Sequence, residues 1–108
     1  MEDDGFFVDV EHVDQIATVT VRGEIDLHTA ATFHHAFATI EPGTAVVVDL
    51  TAVGFMDSTG LHVLLENAAA MANAGGSLHI GGASPQVERL VKITGLDDMM
   101  ATAPAELI

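Results

Sequence analysis

Apolar residues recur along the chain with two periods, and the switches between them mark its elements. Phe6-Phe7-Val8-Asp9-Val10 is a short apolar run that predicts a strand. Ile16-Ala17-Thr18-Val19-Thr20-Val21 alternates and is rich in β-branched side chains, which predicts a second strand. Val13-Asp14-Gln15 between them predicts a hairpin turn. The spacing then becomes helical: Leu27, Ala30, Phe33, Phe37 and Ile40 form one stripe, which Glu41-Pro42-Gly43 ends. Ala45-Val46-Val47-Val48-Asp49-Leu50 lacks alternation, the pattern of a central strand covered on both faces. A connecting stretch, residues 51–56, leads to a second helix. Its inner face is Leu61, Leu64, Leu65, Ala68, Met71 and Ala72, and Ala74-Gly75-Gly76 closes it. Ser77-Leu78-His79-Ile80 predicts the next strand. Ser84-Pro85 starts a third helix with Val87, Leu90, Val91 and Thr94 facing inward, and Gly95 ends it. Met99-Met100-Ala101 is expected as a short edge strand, and the chain beyond Ala103 as a loose tail.

Strands alternating with helices imply an α/β fold: a mostly parallel sheet of four to five strands with an opening hairpin, and helices packed on it. The 108 residues make one domain, 1–108. With 49% hydrophobic residues there is enough for a single core, but the chain is short for two lobes around a deep cleft, which argues against most enzymes. In parallel sheets function gathers in loops beyond the C-terminal ends of strands. The loop at residues 57–61 follows such an end, and the turn at Asp26 is expected beside it.

Charge narrows the partners. Three Lys and Arg stand against 16 Asp and Glu, a net −13. This opposes binding to nucleic acid and to anionic membranes, and favours a partner with a basic patch. It equally serves plain solubility. The absence of Cys excludes disulfides, thiolate metal sites and thiol nucleophiles. No apolar run approaches the roughly 20 residues that span a bilayer. Met1-Glu2-Asp3-Asp4 is the opposite of a secretory signal, so a cytoplasmic protein is expected. The six His form no zinc-type motif, and Gly75-Gly76 and Gly81-Gly82 lack the context of a phosphate cradle. Neither a metal nor a cofactor is expected.

The candidate chemistry lies in Asp57-Ser58-Thr59-Gly60-Leu61, where the Val-rich segment hands over to the second helix. Ser58 falls at or beside the helix N-cap. A hydroxyl there can cap the helix, attack a substrate or accept a phosphoryl group. By spacing alone capping is the commoner role, and Asp26 and Asp57 equally read as turn or cap residues. No Gly-x-Ser-x-Gly is present and no His is placed by sequence as a base, so a serine hydrolase is rejected.

Asp57-Ser58-Thr59-Gly60-Leu61, opening a helix after a strand, resembles the phosphorylation loop of the STAS family, the anti-sigma factor antagonists. Gly23-Glu24-Ile25-Asp26 matches a second family motif, Gly-Glu-(Leu/Ile)-Asp at the end of the second strand. The resemblance runs from about Phe6 to Met100. It implies a STAS-type fold with Ser58 as phosphoacceptor, and Asp57 and Asp26 assisting kinase recognition and phosphoryl transfer. Thr59 is the lesser hydroxyl, being β-branched and one place further into the helix. Gly60 is expected to allow close backbone approach of a partner or, instead, merely to relieve crowding. The partner surface is expected to continue along the helix through His62 and Glu66.

The resemblance further implies a binding module without catalysis of its own. Unphosphorylated, it binds an anti-sigma factor that is also an ATP-dependent serine kinase, and so frees a sigma factor. Phosphorylation of Ser58 ends binding, and a serine phosphatase resets the switch. Direct nucleic-acid binding and membrane insertion are not expected. The same resemblance also admits a free-standing STAS subunit of a membrane lipid or anion transporter, or a stressosome-like scaffold component. The helix start is expected to offer free N–H groups to a phosphate. The only cations, Arg22, Arg89 and Lys92, lie far from Ser58 in sequence. Phosphorylation is therefore expected to act by excluding the partner.

Overall fold

A five-stranded mixed sheet carries the molecule, with its strands side by side in chain order: β1 (Glu2–Asp3), β2 (Phe6–Val13), β3 (Ile16–Ile25), β4 (Ala45–Met56) and β5 (Ser77–Ala83). The computed structural model describes residues 2–3, 5–96 and 98–101. β1, β2 and β3 pair antiparallel, whereas β3, β4 and β5 pair parallel. α1 (Ala30–Ala36), prolonged by a 3-10 turn at Phe37–Thr39, links β3 to β4. α2 (Ser58–Asn73) links β4 to β5, and α3 (Pro85–Ile93) and α4 (Asp98–Ala101) follow. This is the α/β architecture the periodicity predicts. The hairpin turns at Asp14, whose φ of 58° lies in the left-handed region that Asp tolerates.

Alternation along the strands sends one set of side chains inward. Val19, Val21, Val46, Val48, Leu50 and Ile80 form a single core with Phe33 of α1, Leu64 and Met71 of α2, and Val87 and Val91 of α3. Phe33 and Phe37 meet edge to face with ring centroids 5.4 Å apart, a favoured aromatic geometry. β4 is central, as its sequence predicts. Among the described residues, however, every buried apolar helix side chain belongs to this one core, so the helices cover one face of the sheet. Val47 points to the other face, between its register partners Thr18 and His79.

Further expectations are corrected. Residues 51–56 are no connector: β4 continues to Met56, pairing through Phe55↔Glu24 and Met56↔Ile25. Register shifts at Thr20/Arg22 and Gly23/Glu24 break the alternation that would have marked them as strand. The first helix begins at Ala30 and leaves Leu27 76% exposed, because Asp26 and Thr29 close a turn before it. On α2, Leu65 and Ala72 face solvent while Val63 and Asn67 are buried, and on α3 Thr94 is exposed at the C-cap. The expected edge strand at Met99-Met100-Ala101 belongs instead to α4, where Met99 N–H donates to Leu96 O at 3.0 Å and both residues pack on the core. The tail beyond Ala103 lies outside the described residues. Among those residues, no helix is long and apolar enough to cross a membrane.

Candidate functional site

The ends of β3 and β4 meet at Ile25 and Met56, and Asp57 N–H donates to Ile25 O at 3.2 Å. The chain then turns directly into α2. Asp57, in an extended conformation, is the N-cap, and Ser58 is the first helical residue beside it. Asp57 Oδ1 accepts the Thr59 N–H at 2.9 Å and also the Thr59 hydroxyl. Asp57 O accepts Gly60 N–H at 3.1 Å and Leu61 N–H at 3.3 Å. The Thr59 hydroxyl, above all, holds the Asp57 carboxyl below the usual carboxylate value; partial burial opposes this, and the backbone N–H groups of Thr59 and Gly60 support it. The amides of residues 59, 60 and 61 are thus already committed. The free donors expected for a phosphate at these three positions are taken by Asp57.

Ser58 is exposed, and among the described residues no hydrogen bond engages its hydroxyl. His62 and Glu66 are exposed one and two turns further along α2, the i, i+4 and i+8 places of the same face. Gly60 points the other way. It is buried, and a Cβ there would stand 2.5 Å from Met56 Cγ and 2.8 Å from Ile25 Cγ2. Its role is to let the helix sit on the strand ends, not to admit a partner from solvent. Of the two expected roles, the packing supports relief of crowding.

Asp26 closes the neighbouring turn. Its Oδ1 accepts His28 N–H at 2.9 Å and Thr29 N–H at 3.2 Å, and the Thr29 hydroxyl donates to Glu24 O at 2.8 Å. Gly23 of the same motif has φ of 101°, and a Cβ there would come within 2.8 Å of Gly5 O. Only glycine fits both demands. The Ile25–Asp57 bond joins this turn to the start of α2, so Asp26, Asp57, Ser58 and Thr59 lie at one end of the sheet.

Both carboxylates are engaged in local hydrogen bonds, and no hydrogen bond among the described residues joins Ser58 to a base. The arrangement presents a hydroxyl without activating it. Arg22 lies over the Phe7 ring at 5.3 Å, and Arg89 and Lys92 are on α3. Among the described residues no cluster of three or more His, Asp or Glu is placed to hold a metal ion. Two features escaped the sequence reading. One is the double bond from Thr59 to Asp57, for which the Asp-x-Thr spacing at a helix start is the available signal. The other is the exposure of Leu27 (76%) and Phe55 (48%) beside the two turns, which their apolar character masks.

The description of the STAS domain family matches residues 7–106. The anti-sigma-B factor antagonist of Listeria monocytogenes is 35% identical over 94 residues, covering 85% of this chain and 79% of that protein. The anti-sigma-B factor antagonist of Bacillus subtilis is 34% identical over 94 residues, covering 86% of each. Among solved structures, an anti-sigma factor antagonist from Mycobacterium paratuberculosis is similar with a TM-score of 0.78 and 32% identity, over 92% of this chain and 86% of that one.

Proposed function

The chain belongs to the STAS domain family, with anti-sigma factor antagonists among its relatives, and from that premise we propose that it is a partner switch governed by Ser58. In its unphosphorylated form it binds an anti-sigma factor that is also a serine kinase, and so releases a sigma factor. Phosphorylation of Ser58 by that kinase ends the binding, and a serine phosphatase restores it. The observation that carries this reading is the exposed hydroxyl of Ser58 at the first residue of α2, which no hydrogen bond among the described residues engages.

The chemistry belongs to the kinase. Ser58 Oγ attacks the γ-phosphorus of its magnesium-bound ATP. The new O–P bond replaces the bond to the bridging oxygen, ADP leaves, and the hydroxyl proton passes to a base of the kinase. Asp26 and Asp57 define the acidic end of the sheet that the kinase grips, and His62 and Glu66 extend the contact along α2. The product gains about −1.5 to −2 charge beside an ionised Asp57. The three amides after Ser58 are occupied, so the phosphate projects outward into the partner's contact area and repels it directly.

Intact-mass spectrometry after incubation with the cognate kinase and ATP tests the proposal. Wild-type protein should gain one phosphate, at Ser58. Ser58→Ala should gain none and should bind the anti-sigma factor whether or not ATP is present. Full phosphorylation of Ser58→Ala would reject the assignment.

A further inference from the structure

Two hydroxyls stand side by side at the start of α2, and the structure treats them oppositely. Ser58 is exposed and unengaged among the described residues, whereas Thr59 is half-buried and donates both its amide and its hydroxyl to one oxygen, Asp57 Oδ1. We propose that Thr59 is a positioning residue that clamps Asp57 and thereby selects Ser58 as the phosphoryl acceptor. This rests on the function proposed above.

The clamp acts in three ways. It spends the Thr59 hydroxyl proton on Asp57, so attack from Thr59 would give up that hydrogen bond to the residue that caps its helix. It leaves a phosphoryl group on Thr59 pressed against the carboxylate, since Thr59 Oγ1 and Asp57 Oδ1 are in contact. It also turns the carboxylate into the cap and keeps it ionised, and a carboxyl held below its usual value is a poor acceptor for the Thr59 proton. Transfer therefore goes to Ser58: its Oγ bonds to the γ-phosphorus of ATP, ADP departs, and a base of the kinase takes the proton.

Thr59→Val keeps the β-branched shape and removes only the hydroxyl; Thr59→Ser restores it. Carboxyl NMR titration should show Asp57 moving toward the ordinary value in Thr59→Val and back in Thr59→Ser. With the cognate kinase and magnesium ATP, site mapping should find the phosphate of the wild-type chain on Ser58 alone. In Asp57→Ala it should find part of the phosphate on the released Thr59. An unmoved Asp57 titration in Thr59→Val, or phosphate confined to Ser58 in Asp57→Ala, would overturn the proposal. A wild-type chain that binds the kinase yet gains no phosphate would instead remove the phosphoacceptor reading; the titration would still decide whether the clamp exists.

Discussion

The Asp57 side chain accepts one backbone amide and one hydroxyl, both of Thr59, so its removal should be felt in stability. Asp57→Ala is expected to lose about 1 kcal/mol, the typical value of an N-cap. Its pH dependence has a definite sign. The folded value lies below the unfolded one, so the stabilisation from the ionised form is fully present above about pH 4 and is lost as pH falls through the folded value. Urea unfolding of wild type and Asp57→Ala at neutral and acid pH should show a gap that closes in acid; a gap independent of pH would contradict this. Gly60→Ala places a methyl against Met56 and Ile25, both buried, and should cost about 1–3 kcal/mol as overpacking does. Thermal unfolding reads it, and an unshifted midpoint would show that the joint can yield. Ser58 and Asp57 were legible at this scale because a motif of five residues names them. Which of its two expected roles Gly60 plays was not, since a glycine carries no sign of which way it faces.

At the scale of elements, the hydrophobic periods located β2, β3, β5 and the three longer helices because each buries one face. What they missed has local causes. Bulges in β4 disguised its own end, and the Asp26–Thr29 turn displaced the start of α1. Met99 packs into the core from a helical turn, which three apolar residues in a row cannot distinguish from a strand. Tertiary ties are invisible in the pattern. Asn67 Nδ2 donates to Val63 O at 2.8 Å and lies 3.0 Å from His34 Nδ1, joining α2 to α1 across 33 residues of chain. Ser84 caps α3 by accepting Val87 N–H at 3.3 Å and donates its hydroxyl to Val53 O, tying that helix to β4. Ser84→Ala loses the cap and strands a buried acceptor, so a loss of about 1–3 kcal/mol is expected in urea unfolding. A change within error would mean the tie is replaced by water.

For the whole molecule the dominant fact is a net charge of −13 on 108 residues. Self-repulsion opposes compactness and is screened over about 8 Å at physiological ionic strength. The melting temperature should therefore rise as sodium chloride is added; a fall would show that attractive pairs outweigh the repulsion. The proposed phosphorylation of Ser58 would add to this charge at one end of the sheet. Amide NMR shifts should stay within the Ser58 and Asp26 turns, and shifts spread over distant helices would reveal a refolding instead. The continuity of β4 into α2 bears on how the proposed kinase would read this protein at all. Ser58 is offered by a finished surface, with its backbone fixed by Ile25 on one side and by Asp57 on the other. It cannot be drawn out into a cleft as an extended substrate without dismantling the sheet end. A linear synthetic peptide covering residues 51–66 carries the same letters but not the surface, because helices this short are marginal in water. It should be a far poorer substrate than the folded chain, and a comparison of kcat/KM for the two would show whether the kinase recognises an amino-acid string or a shape.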